Sequence, residues 1–111
     1  MTFQKIIDKC RALSVFEERT AQDNFAEFVF LVKDQDEWNT LFQEIFGSAV
    51  KPAGTRPSPE DLEAAKDFGG IYPDQTLFKQ EYEEFSVLAM IWPWQDCAHS
   101  TVKLGIIKKP L

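Results

Sequence analysis

The first thirteen residues carry apolar side chains at helical spacing. These side chains fall on one face of a helix that Thr2 can cap, and they are Phe3, Ile6, Ile7, Cys10 and Leu13. Because Cys10 lies within this stripe, we expect its thiol to be buried as a small hydrophobe rather than exposed as a reactive group. The pattern therefore predicts an amphipathic helix at this end of the chain.

The segment 34–47 has the most regular helical pattern in the chain. Its bulky apolar residues recur at intervals of three and four positions, which predicts a helix with one buried face; they are Trp38, Leu41, Phe42, Ile45 and Phe46. Asp36 is the predicted N-cap, and Gly47 stands where a C-terminal cap is expected.

A third helix is predicted over 58–70. Ser58 is its expected N-cap, Pro59 occupies the first helical position, and Asp61 stands where the acid of a capping box belongs. The apolar stripe of this helix is thin, so we expect it to lie at the periphery. The Pro- and Gly-containing segment 48–57 before it is predicted to be an internal surface loop.

Four segments have the pattern of strands. Residues 25–33 are rich in aromatic and β-branched side chains and are apolar on both faces, which predicts a central strand. Residues 14–21 favour a strand that forms a hairpin with it, with an extension of the first helix as the alternative. Further on, 85–92 and 101–109 predict a second hairpin, whereas 71–77 is predicted to be a loop.

The elements follow one another in the order helix, strand, strand, helix, helix, strand, strand. This order predicts an α+β fold, with an antiparallel sheet of about four strands in two hairpins packed against three helices. The length of 111 residues is that of one domain, 1–111. Since the central strands are apolar on both faces, we expect helices to cover one face and a dimer partner or a ligand to cover the other. Pro110 is expected to end the last strand.

Charge limits the kinds of partner. The net charge is -6 with a sequence pI of about 4.7, and no stripe of Lys and Arg is present. Phosphate backbones and anionic membranes are bound through basic side chains, so nucleic acid and membrane surfaces are not expected partners. A basic protein would instead be steered toward this chain.

Two features of the sequence favour a cytoplasmic protein. The charged start of the chain has no apolar signal-peptide core, and no apolar run is long enough to span a bilayer. The only cysteines are Cys10 and Cys97, which do not form a disulfide framework, so we expect reduced thiols.

The segment IWPWQDCAHS, 91–100, holds the candidate chemistry. A thiol beside an imidazole is the basis of a cysteine nucleophile, which makes Asp96, Cys97 and His99, the only histidine, a candidate site. The alternative is a polar hairpin turn, because neighbours in sequence are not guaranteed catalytic geometry. Transition-metal sites usually need three or four ligands, so no metal or cofactor is expected here.

Trp92 and Trp94 come immediately before this candidate site. Tryptophan is enriched among the residues that dominate protein interfaces, so the pair is a candidate anchor for a partner. The alternative is that the two rings cap the open end of a core rich in phenylalanine. A nearby acidic cluster, Glu81, Glu83 and Glu84, is expected to protect the exposed start of an edge strand by charge repulsion.

The leading functional hypothesis is a non-catalytic protein-interaction or binding module. It acts as a homodimer or as the partner of a more basic protein, and its candidate binding residues are Trp92, Trp94, Asp96, Cys97 and His99. No catalytic signature motif is present, which favours the absence of catalysis. The alternative is a small enzyme or a ligand- or metal-binding protein with a site around Asp96, Cys97 and His99, and with 48–57 as a lid.

Overall fold

Five strands form one antiparallel sheet in the computed structural model, which describes residues 2–109. The strands are Glu17–Ala21 (β1), Phe25–Leu31 (β2), Thr76–Glu81 (β3), Phe85–Pro93 (β4) and His99–Lys108 (β5). The α-helices are Phe3–Arg11 (α1), Gln35–Phe46 (α2) and Pro59–Ala65 (α3), and short 3-10 helices run over Val32–Asp34 and Lys66–Phe68. The spatial order of the strands is β1-β2-β5-β4-β3, so the predicted α+β class is confirmed.

The predicted count of about four strands is too low by one, because β3 was missed. Residues 71–77 were predicted to be a loop, yet β3 begins within them at Thr76 and pairs along its whole length with β4. The turn between the two strands contains Glu83 and Glu84, and the Tyr82 amide donates to the Phe85 carbonyl across it at 2.8 Å. This turn has no Gly, Asn or Pro, so the sequence pattern gave no sign of a hairpin here.

The acidic cluster Glu81, Glu83 and Glu84 does not lie at the start of an edge strand, where it was expected. Glu81 ends the edge strand β3, and its carboxylate oxygens lie 2.9 Å from the ammonium groups of Lys79 and Lys109. Glu83 and Glu84 lie in the turn rather than at the start of an edge strand.

Both predicted hairpins are present. Residues 17–21 form a strand and α1 ends at Arg11, so the alternative of an extended first helix was wrong. The two hairpins join through β2 and β5, where Phe28 lies opposite Val102. Pro110 lies outside the described residues.

Helices α1 and α2 cover one face of the sheet. Trp38 of α2 is fully buried there, stacked on Phe30 with ring centroids 5.2 Å apart, and its Nε1 donates to the Ser14 carbonyl at 3.2 Å. The predicted stripe of α2 is confirmed, since Ile45 is half-buried and the other four residues are buried. Cys10 of α1 is buried in the same core, as expected.

The predicted N-cap of α2 was two residues too late. The helix begins at Gln35 after Asp34, and Asp36 lies in its first turn, where a carboxylate interacts favourably with the helix dipole. The capping box of α3 is confirmed: the Asp61 amide donates to Ser58 Oγ at 3.1 Å, and the Ser58 amide donates to the Asp61 carboxylate at 2.9 Å. Helix α3 ends at Ala65, and the predicted helix continues as the 3-10 helix Lys66–Phe68, which Gly69 closes in a left-handed conformation.

The second face of the sheet is covered in part by the chain itself. Helix α3 and the segment after it pack on β3 and β4 in a second cluster, whose buried members are Ala65, Ile71, Leu77, Leu88 and Met90. Over this part of the sheet, the expectation that a dimer partner or a ligand provides the cover was wrong.

The segment 48–57 is tied to the outer edge of β3. The backbones of Lys51 and Leu77 exchange two hydrogen bonds of 3.2 and 2.9 Å. The Lys51 side chain is 1% exposed, and its Nζ donates to the carbonyls of Pro52, Pro73 and Gln75. Lys51 therefore occupies the outward-facing backbone groups of Leu77, one position of an edge strand that could otherwise pair with another chain.

Candidate functional site

The turn between β4 and β5 is closed by one carboxylate. Asp96 Oδ1 accepts hydrogen bonds from the amides of Ala98 and His99, at 2.9 and 3.1 Å. The backbone adds two bonds, from the Trp94 amide to the His99 carbonyl at 2.9 Å and from the Cys97 amide to the Trp94 carbonyl at 3.3 Å. The turn thus has a defined conformation, because an Asp side chain can take the place of a backbone acceptor.

The same carboxylate positions the histidine ring. Asp96 Oδ2 lies 2.6 Å from His99 Nδ1. The pKa of Asp96 is lowered, first by the hydrogen bond from the Ala98 amide and then by the contact with His99. The group is therefore a carboxylate at neutral pH, and it fixes the orientation of the imidazole.

Three rings meet at this turn and form a surface that we call the aromatic surface: Phe16, Trp94 and His99. The imidazole of His99 stacks on the indole of Trp94 with centroids 4.7 Å apart, and meets the edge of the Phe16 ring at 4.8 Å. Trp94 Nε1 donates to Thr101 Oγ1 at 2.8 Å, which fixes the indole on the sheet. Phe16 is 56% exposed, so the outer side of the cluster faces solvent.

An arginine lies beside the aromatic surface. The guanidinium carbon of Arg19 lies 5.4 Å from the centroid of the Trp94 ring, within the range of a cation–π interaction. Its Nε and Nη1 atoms lie 2.7 and 3.2 Å from the carboxylates of Glu17 and Glu27. Arg19 is thus fixed above Trp94 by ion pairs on two neighbouring strands.

Trp92 lies apart from the aromatic surface. It packs against the second core cluster with Leu88 and Met90, and the Lys103 ammonium lies 3.6 Å from the centroid of its ring. Its Nε1 is buried without a hydrogen-bond partner among residues 2–109. Of the two tryptophans, only Trp94 contacts His99.

Cys97 stands in the turn but makes no hydrogen bond with the His99 ring in the described part of the chain. Its Sγ lies 3.7 Å from the Gln95 carbonyl, the residue is exposed, and its φ of 60° is left-handed. Cys10 is buried instead, and its burial raises the pKa of its thiol to about 12. No three His, Cys, Asp or Glu side chains between residues 2 and 109 are grouped closely enough to hold a metal ion.

Sequence reasoning missed Phe16 and Arg19. Phe16 lay in the segment whose structure was ambiguous, and it meets His99 only because β2 pairs with β5. The sequence offered one sign of the position of Arg19. Glu17 and Arg19 alternate along one predicted strand and Glu27 lies on the next, which is typical of a cross-strand ion pair. Nothing local in the sequence placed Arg19 above Trp94.

Comparisons of this chain with models of protein families, with curated proteins and with solved structures found no significant match. Among residues 2–109, no helix has the length and apolar character needed to cross a membrane. Function is therefore inferred from the geometry of this chain alone.

Proposed function

We propose that this chain is a non-catalytic protein-interaction module that binds its partner through the aromatic surface. The observation that carries the proposal is the 56% exposure of Phe16, an apolar ring in contact with His99, which is itself stacked on Trp94. Aromatic side chains and arginine are enriched in the parts of interfaces that contribute most to binding energy. The rings of the aromatic surface and the neighbouring Arg19 provide both kinds of group.

The rigidity of the surface supports the same proposal. The side chains of Trp94 and His99 are hydrogen-bonded to Thr101 and Asp96. The Arg19 guanidinium forms ion pairs with two carboxylates. Side chains that are fixed before binding lose less conformational entropy when a partner docks. The hydrogen bonds of the turn thus fix the positions of the rings.

A basic protein is the partner that the charge favours. Two copies of a chain with a net charge of -6 repel each other, whereas a basic partner is attracted and steered. This attraction is screened by salt over a distance of about 10 Å at 0.1 M ionic strength. Association with the partner should therefore weaken as the salt concentration rises.

The proposal is tested by mild chemical crosslinking and co-purification from the native host. The double variant Phe16→Ala, Trp94→Ala is compared with a control, Leu62→Ala, Tyr72→Ala, which removes side chains 50% and 59% exposed elsewhere. We expect one associated protein whose recovery falls at least about tenfold in the first variant only. Equal recovery with both variants would contradict the proposal, and circular dichroism checks that each variant is folded.

A second candidate function is catalysis or ligand binding around Asp96, Cys97 and His99, favoured by the 2.6 Å contact between Asp96 and His99. A carboxylate that orients an imidazole is part of the machinery of many nucleophilic enzymes. This candidate requires Cys97 to react with iodoacetamide much faster than a thiol of the denatured chain, and His99→Asn to remove the difference. Cys10 is the internal reference, since it is buried with a raised pKa and should react only after unfolding.

A further inference from the structure

An open cleft on the same chain is large enough to hold a small molecule. It has a volume of about 580 Å³, within the range of about 300–1,000 Å³ that is usual for ligand pockets. We call it the Lys103 cleft, and its walls include Phe25, Phe68, Lys103, Ile106, Ile107 and Lys108. It shares no residue with the aromatic surface.

Two glycines allow the close packing beside the cleft. A Cβ atom at Gly105 would lie 2.3 Å from the Phe68 ring, so only glycine lets Phe68 lie directly on β5. A Cβ atom at Gly69 would lie 2.7 Å from the Trp92 ring and 3.1 Å from Lys103 Nζ. Phe25 then stacks on Phe68, with centroids 6.0 Å apart and planes 6° apart. The wall is thus built into the packing of the sheet.

The Lys103 ammonium forms no ion pair with a carboxylate of residues 2–109. Its Nζ donates to the Phe68 carbonyl at 3.0 Å and lies over the Trp92 ring. Within residues 2–109, no carboxylate oxygen lies within 4.0 Å of this nitrogen. Its cross-strand neighbour Glu27 is bonded to Arg19 instead. Burial lowers the pKa of Lys103, while the charge of Glu27 acts in the opposite direction.

We propose that the Lys103 cleft binds a small organic monoanion that joins a carboxylate to a planar apolar body. The carboxylate pairs with the Lys103 ammonium, which has donors to spare, and the planar body lies against Phe25 and Phe68. A charge-assisted hydrogen bond of this kind is stronger than one between neutral groups. Asp67 also lines the cleft, so ligands with several negative charges are disfavoured.

The proposal does not depend on the aromatic surface or on a protein partner. Either function can fail while the other holds, because Phe16, Trp94 and His99 do not line the cleft. The ligand test therefore uses the isolated chain with nothing else bound.

The test is a nuclear magnetic resonance titration with two probes of the same ring, naphthoate and the neutral naphthylmethanol. We expect naphthoate to bind about tenfold more tightly and to shift the amide signals of Phe25, Phe68 and Lys103. Lys103→Met should remove the preference for the anion, and Lys103→Arg should keep it. Lys66→Met is the matched control, because it removes an exposed lysine outside the cleft.

The proposal would be overturned by no binding of naphthoate, by equal affinity for the two probes, or by shifts centred on residues outside the cleft. An unchanged preference in Lys103→Met would also overturn it. If Lys103→Met does not fold, the comparison of the two probes on the unmodified chain and on Lys103→Arg still decides the matter.

Discussion

The imidazole of His99 stacks on the indole of Trp94, with ring centroids 4.7 Å apart and ring planes 25° apart. The two residues stand at opposite ends of the turn between β4 and β5, and the Trp94 amide donates to the His99 carbonyl at 2.9 Å. The conformation of the turn and the shape of the aromatic surface are thus set by the same contacts. Asp96 is central to both, since it bonds the backbone of the turn and the imidazole.

Asp96→Ala should loosen the turn. The amides of Ala98 and His99 lose their acceptor, so we expect their hydrogen-exchange protection to fall by about tenfold. Asp23→Ala is the control, because Asp23 lies in the β1–β2 turn and its side chain makes no hydrogen bond among residues 2–109. Unchanged protection at Ala98 and His99 would show that the carboxylate does not hold the turn.

The aromatic surface and the core should respond differently to truncation. Phe16→Ala removes a ring that is 56% exposed, and we expect the free energy of unfolding to fall by less than about 1 kcal/mol. Trp38→Ala removes a fully buried ring and should lower it by about 3–5 kcal/mol. Urea denaturation measures both. A loss of several kcal/mol in Phe16→Ala would mean that the ring serves the core rather than binding.

Lys51→Met should weaken the attachment of 48–57 to the sheet. The variant keeps the length of the side chain but removes the donor of the buried Gln75 carbonyl and one of the donors of the Pro52 and Pro73 carbonyls, so we expect a loss of about 1–3 kcal/mol in the free energy of unfolding. Lys66→Met is a matched control, since the side chain of this exposed lysine is paired with Glu63 alone among residues 2–109, and its loss should change stability by less than about 1 kcal/mol. Limited proteolysis should cut 48–57 faster in Lys51→Met alone.

The ion pairs of Glu81 should make the free energy of unfolding depend on pH in the acid range. The bonds from Lys79 and Lys109 lower the pKa of Glu81 from 4.5 to about 2. A lowered pKa means that the carboxylate stabilises the fold fully above about pH 4.5, and that this contribution is lost as the pH falls through about 2.

The difference in urea midpoint between the unmodified chain and Glu81→Gln should therefore shrink as the pH falls from about 5 to about 2. Glu83→Gln is the control, because this carboxylate of the turn that follows β3 has no ion pair in the described part of the chain. A difference that stays constant over this range would show that the two ammonium groups do not stabilise the Glu81 carboxylate.

The helices were predictable because the residues that define each helix lie within or next to it in the sequence. The stripe from Trp38 to Phe46 and the capping box of Ser58 and Asp61 are local patterns, and the structure keeps them. Strand β3 was missed because its second half is polar and because Glu83 and Glu84 replace the usual turn residues. A hairpin of this kind is stabilised by the pairing of its strands, and no local sequence pattern predicts that pairing.

The candidate site was predictable only in part for the same reason. The contact between Asp96 and His99 spans three residues, so their nearness in sequence was informative. Phe16, Arg19 and Lys103 reach their positions through the pairing of β2 with β5 and of β5 with β4. The buried ammonium of Lys51 was hidden as well, since its acceptors are backbone carbonyls.

The most direct test of the aromatic surface is site-specific photocrosslinking in the native host. A photoreactive phenylalanine derivative is placed at position 16 or, as a control, at position 72, where the native side chains are 56% and 59% exposed. We expect one discrete protein adduct from position 16 that is lost when Trp94→Ala is added, and no such adduct from position 72. No adduct from position 16, or the same adducts from both positions, would contradict binding through Phe16, Trp94 and His99.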